Sequence, residues 1–117
     1  MVTKSLSAEV RHRDDISFID LTGDIDSFAE EELSAAYESA SDARTIVMNF
    51  ASVGYINSTG IALIVGLMAN ARKKGLTMFA CGLSDHYREI FEITRLADFM
   101  PVVSDEDDAV ARAKSNS

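Results

Sequence analysis

A strand-to-helix junction in the middle of the chain constrains the fold more than any other feature. Residues 44–50, Arg-Thr-Ile-Val-Met-Asn-Phe, form a short, β-branched, apolar run of the kind that suits a strand covered on both faces. A loop carrying Gly54 and Asn57 follows, and from Ile61 the chain is apolar again, now with helical spacing. At about 100° per residue, Ile61, Leu63, Ile64, Val65, Leu67, Met68 and Ala71 sweep an arc of roughly 200°. That is wider than the apolar stripe of a surface helix, so this helix is expected to be wedged into the core. Either Asn57 or Ser58 can cap it by accepting a hydrogen bond from a backbone N–H that otherwise has no partner. The structural reading of Ser58 is therefore a cap.

The opposite arc of the same helix holds Ser58, Thr59, Ala62, Gly66, Ala69, Asn70 and Lys73. Its first turns carry almost no side-chain bulk. Glycine inside a helix costs about 1 kcal/mol relative to alanine, so Gly66 calls for a close approach, by another backbone or by packing within the same protein.

Elements alternate on either side of this junction. Residues 6–13 and 16–22 read as a hairpin turning at Asp14-Asp15. Ser27 and Glu30 have the spacing of a capping box, opening a helix to about Ala40 with Ala29, Leu33, Ala36, Tyr37 and Ala40 inward. Gly75 stands where the central helix should stop, residues 76–81 read as a buried strand, and Ser84-Asp85 can start a third helix with Tyr87, Ile90, Phe91 and Thr94 inward. Residues 99–103 read as a short strand that Pro101 confines to a sheet edge, and Ser104 to Asp107 cap a last helix before a polar tail at residues 115–117. The expected order is β-β-α-β-α-β-α-β-α: a small, mostly parallel α/β sheet with an opening hairpin and about four helices. In such sheets ligands and partners meet the carboxyl ends of the parallel strands, which here gathers Asp24, Asn57 and Ser58.

Composition narrows the function. With 117 residues, 47% of them hydrophobic, the chain suits a single domain over residues 1–117. Against 11 basic residues stand 19 acidic ones, and the net charge of −8 disfavours nucleic acid and anionic membranes. The one basic cluster, Arg72-Lys73-Lys74, ends a helix, where cations suit the dipole. No apolar run is long enough to span a bilayer and the N-terminus lacks a signal-peptide core, so a cytoplasmic location is expected. Cys81, alone in an apolar strand, reads as an inert core residue.

Catalytic patterns are absent. The sequence contains no phosphate-binding Gly-x-x-x-x-Gly-Lys-Ser/Thr loop and no Gly-x-Gly-x-x-Gly, and His12 and His86 lack metal-ligand spacing, so neither a metal nor a cofactor is expected. Residues 56–60, Ile-Asn-Ser-Thr-Gly, make half of a nucleophile elbow, with Ile56 in place of the first glycine. Asp85 and His86 follow in the right order, but neighbours on one helix do not face each other and cannot relay protons to the serine. What remains is a serine at a helix start beside a smooth face, an arrangement suited to a phosphorylation switch read by a partner.

Gly23-Asp24-Ile25-Asp26 after a strand, the run at residues 46–50, Tyr55-Ile56-Asn57-Ser58-Thr59-Gly60-Ile61 and residues 76–82 together resemble the STAS domain of bacterial anti-sigma factor antagonists. The resemblance covers residues 7–113 and is most specific at Asn57-Ser58-Thr59-Gly60. It implies an α/β fold with this element order and phosphorylation of Ser58, or less favourably Thr59, by an anti-sigma factor that is also a serine kinase. Unphosphorylated antagonist binds that factor and releases sigma, and a serine phosphatase resets the system. A docking face is expected from Asp24, Asn57, Ser58, Thr59, Gly60, Ala62 and Gly66. Many members carry aspartate before the serine, whereas Asn57 keeps the capping oxygen and loses the charge. The alternatives are a STAS scaffold or sensory-complex subunit without the switch, and a small serine-dependent enzyme.

Overall fold

A computed structural model of the chain describes residues 4–115. Four strands, β1 (Ser7–Arg13), β2 (Ile16–Ile25), β3 (Thr45–Ile56) and β4 (Thr77–Cys81), lie in sequence order across one sheet. The hairpin β1–β2 is antiparallel, turning at Asp14 with φ 56°, and β2–β3 and β3–β4 are parallel. The crossovers are helices α1 (Glu30–Ala40) and α2 (Ser58–Lys74), with α3 (Asp85–Ile93) and α4 (Glu106–Ser115) after β4. This is the α/β sheet with an opening hairpin that strand–helix alternation predicts.

Period-two alternation in the strands splits the core into two layers. Ile19, Leu21, Ile25, Ile46, Met48, Met78 and Ala80 face one side and pack with Leu33 and Tyr37 of α1, Ile64 and Met68 of α2, and Phe91 of α3. Ile16, Phe18, Val47, Phe79 and Cys81 face the other, where Ala109 and Val110 of α4 cover them. Farther along this second face Asn49 is only half-buried and Ala51 exposed, so α4 covers one end of the sheet and leaves the end near Ser58 open.

Several local expectations are corrected. Strand β3 does not stop at Phe50 but continues to Ile56, because β2 goes on pairing with it through two register shifts. The predicted strand at residues 99–103 is a single bridge, Val102 to Ala80: Pro101 has no N–H to give, and Phe99 and Met100 instead turn back on the Leu96 carbonyl. The capping box does not form, since α1 starts after Ala29 without a side-chain cap and Ser27 is exposed. Thr94 lies outside α3, exposed, its hydroxyl donating to the Ile90 carbonyl. In the polar tail, Ser115 ends α4, while residues 116 and 117 lie outside the described residues.

The central helix is less deeply buried than its apolar arc suggests. Gly60, Ile64, Met68 and Ala71 are buried, Ile61, Leu63 and Leu67 half-buried, and Val65 exposed. The helix lies on the sheet as a surface element because, among the described residues, no layer covers its outer side.

Candidate functional site

The site forms where β2 and β3 end side by side. The Asn57 N–H donates to the Ile25 carbonyl at 3.2 Å, which carries the sheet pairing one residue past the strands. Asn57 is extended (φ −90°, ψ −179°), as an N-cap must be, and its Oδ1 accepts from the Gly60 N–H at 2.8 Å. The open choice between Asn57 and Ser58 is thus settled in favour of Asn57. Ser58 becomes the first helical residue, exposed, and its hydroxyl makes no hydrogen bond to any described residue. Thr59 is likewise exposed.

The first turn of α2 carries no acidic residue, so the partial positive charge of its N-terminus faces solvent next to Ser58. A group at that position meets backbone N–H dipoles with no competing carboxylate on the same turn.

The remaining expected site residues divide. Ala62 and Gly66 are exposed and, with Glu30, Ser34 and Glu38 of α1, line a groove of about 380 Å³ between the two helices. Tyr37 donates to Asn70 Oδ1 at 2.7 Å across it, tying the two helices together. A Cβ added at Gly66 would meet nothing within 4 Å, so packing among the described residues does not account for that glycine. Gly60 is the opposite case and a correction to the expected docking face: it is buried, and a Cβ there would collide with the Ile25 carbonyl oxygen. Asp24 is half-buried at the rim, where its Oδ2 accepts from the Lys4 backbone N–H at 3.1 Å and its own N–H donates to the Lys4 carbonyl at 2.9 Å. It secures the segment before β1.

Sequence reasoning missed two aromatic residues at this end of the molecule. Phe28, in the loop leading to α1, is 86% exposed, and Tyr55, two residues before Asn57, is 55% exposed. Phe28 could have been suspected, because it falls outside the helical spacing of Ala29 and Leu33. Tyr55 could not, since the extension of β3 that turns it outward depends on pairing with β2.

Other titratable groups lie elsewhere. Cys81 is buried, and burial, helped by Glu106, Asp20 and Asp105, pushes its thiol up to about 11, so it stays protonated and unreactive. Asp85 and His86 are exposed, and the His86 ring stands edge-on to Tyr87, 4.9 Å between centroids. Neither bonds to Ser58. Among the described residues no three His, Cys, Asp or Glu side chains come together to hold a metal ion, and no helix is long and apolar enough to cross a membrane.

The family model described as STAS domain matches residues 7–109. The chain belongs to the STAS domain family. It is similar to the anti-sigma-B factor antagonist of Listeria monocytogenes, 31% identical over 101 residues, which is 84% of this chain and 89% of that one. Among solved structures it resembles an anti-sigma factor antagonist from Mycobacterium paratuberculosis, with TM-score 0.75 and 21% identity over 94% of this chain and 95% of that one. It also resembles the Bacillus cell fate determinant SpoIIAA in its phosphorylated form, with TM-score 0.70 and 22% identity over 92% and 99%. The two structural likenesses identify the fold as that of STAS domains. The family match, in turn, spans both the Asp24 turn and the Asn57–Gly60 cap.

Proposed function

We propose that this STAS domain is an anti-sigma factor antagonist, a binding module switched by phosphorylation of Ser58. The observation that carries the reading is the division of labour at the start of α2. Asn57 performs the capping, which leaves the Ser58 hydroxyl exposed, without a structural duty, at a helix end that favours anions. The name of the Listeria relative and the existence of a phosphorylated form of SpoIIAA support it.

The partner is an anti-sigma factor that is also the serine kinase, and a serine phosphatase restores the binding form; the module acts in the cytoplasm, regulates sigma-dependent transcription and turns over no substrate itself. The partner docks on Ser58, Thr59, Ala62 and Gly66, with Asp24 and Asn57 at the rim and Gly60 holding the helix start against β2. Phe28 and Tyr55, exposed just after β2 and at the end of β3, are aromatic residues of the kind that dominate interface energies.

Phosphate would act at the interface. Desolvating a near-dianion against a partner costs several kcal/mol unless a cation meets it, and each 1.4 kcal/mol is tenfold in affinity. Calorimetry of four forms against one anti-sigma factor tests this. Unphosphorylated wild type and Ser58→Ala should bind alike, Ser58→Asp more weakly, and the phosphoprotein at least about 100-fold more weakly. Equal affinity for all four overturns the reading, as does phosphate found only at Ser27, Ser84 or Ser104 after incubation with the kinase and ATP.

A further inference from the structure

Strand β3 outruns its neighbour. Pairing with β4 ends at Asn49 opposite Cys81, whereas β3 continues to Ile56. Gly82, at φ 76°, turns the chain away there, and a Cβ at that position would lie 2.6 Å from the Ala51 nitrogen. Beyond that point the flank of β3 has no strand beside it among the described residues. A cavity of about 220 Å³, lined by Phe50, Ala51, Val53 and Leu83, occupies the place a longer β4 would fill.

In a parallel sheet both backbone polar groups of one residue point to the same side. Asn57 N–H points toward β2, where it meets Ile25, so the N–H and carbonyl of Ile56 point to the vacant side. Ile56 is buried, and both groups would be costly to leave unpaired. One side chain takes both. The Tyr87 hydroxyl accepts from the Ile56 N–H at 2.8 Å and donates to the Ile56 carbonyl at 3.3 Å. A phenol suits this place because a single oxygen both donates and accepts, on a rigid arm that reaches from α3. Tyr87 is itself fixed in the first turn of α3, where Ser84 Oγ accepts from its N–H at 3.3 Å.

We propose that Tyr87 is a positioning residue for Ser58: its hydroxyl replaces the missing β4 backbone at Ile56 and so fixes the peptide that presents the Ser58 hydroxyl to the kinase. This rests on the phosphorylation of Ser58 proposed above. Besides the first bond of the helix itself, from the Ile61 N–H to the Asn57 carbonyl, three contacts hold the presenting segment: Ile25 carbonyl to Asn57, Asn57 Oδ1 to Gly60, and the two-bond clamp of Tyr87 on Ile56. The Ser58 hydroxyl has no bond of its own among the described residues, so its place depends on how this segment is held. Of the three, only the Tyr87 clamp comes from outside the β2, β3 and α2 framework. Displacement of α3 therefore breaks the hydrogen bonds that hold the Ile56 peptide.

The test is Tyr87→Phe, which keeps the ring and removes the clamp. It has two readouts: amide hydrogen exchange, and phosphorylation kinetics with an anti-sigma factor kinase that phosphorylates the wild-type chain with ATP. Exchange at Ile56, Asn57 and Gly60 should quicken about tenfold or more, with α1 and β2 unchanged. In the kinetics, kcat should fall about tenfold with KM within about twofold, as expected when a reacting group is misplaced but docking is intact. A merely structural role gives a different pattern, because a substrate protein that is partly unfolded raises the apparent KM in proportion and leaves kcat alone. Unchanged exchange at Ile56, or a raised KM with unchanged kcat, overturns the proposal. A wild-type chain that no such kinase modifies at Ser58 sinks the functional reading instead, and the exchange measurement then still decides whether Tyr87 holds the segment.

Discussion

A Cβ at Gly60 would collide with the Ile25 carbonyl oxygen, whereas one at Gly66 would meet open solvent. Two glycines of one helix therefore answer alanine substitution in opposite directions. Gly60→Ala must push α2 away from β2 and should destabilise the protein by about 3 kcal/mol or more, at the upper end of overpacking effects. Gly66→Ala removes the conformational cost of a helical glycine without a clash and should stabilise the free protein by about 0.5–1 kcal/mol. Urea unfolding of both variants measures the two signs. The same Gly66→Ala protein should bind the anti-sigma factor less well, because the added methyl group stands on the proposed docking face; stabilisation with undiminished binding would remove Gly66 from that face.

The elements were legible where a pattern is local, and obscure where it depends on a neighbour across the sheet. Helix α2, its stop at Gly75 and its smooth face follow from spacing within one segment, and the structure keeps them. The length of β3 does not, since Ala51, Ser52 and Gly54 have weak strand propensity and the strand goes on because β2 pairs with Ser52, Val53 and Ile56. Likewise Ser27 and Glu30 have the letters of a capping box, but Asp26 takes the Phe28 N–H at 2.9 Å and the helix starts later. Nothing local marks the bond from Tyr87 to Ile56. A further cross-element feature is the ion-pair cluster joining β1, β2 and α4. Arg11 grips Asp20 with two bonds, 2.6 and 3.0 Å, and reaches Glu106 at 2.6 Å, its guanidinium lying over the Phe18 ring. Arg11, aided by Asn49, holds the Asp20 carboxyl below the usual carboxylate range against the opposing effect of burial. Because that folded-state pKa is depressed, the ionised form stabilises the fold fully above the unfolded value, and the contribution is lost as pH falls through the folded one. Asp20→Asn should thus lower stability at neutral pH yet flatten its decline between about pH 5 and pH 2, measured as urea midpoints across that range. An unchanged acid slope would mean that Asp20 titrates alike in the folded and unfolded chains.

For the molecule as a whole, the question is whether adding a phosphate to a chain of net charge −8 loosens the fold or only changes its surface. Repulsion argues for loosening, since a phosphoserine adds about −1.5 to −2 charges. Locally the balance is the reverse. Ser58 is exposed, so its phosphate stays hydrated, and the first turn of α2 holds no carboxylate to repel it. The free N–H groups there favour an anion by about 0.3–1 kcal/mol, whereas a charge more than about 10 Å away is largely screened at 0.1 M salt. The local term wins. Phosphorylation should raise the melting temperature by roughly 1–5 °C, the shift that such an increment gives a domain near this length. Scanning calorimetry of the phosphorylated and unphosphorylated protein decides the point, and raising the salt should shrink the difference. A fall of several degrees on phosphorylation, with loss of helix signal, would mean that the switch melts the start of α2, and the partner would then be sensing disorder and not a charge on an intact surface.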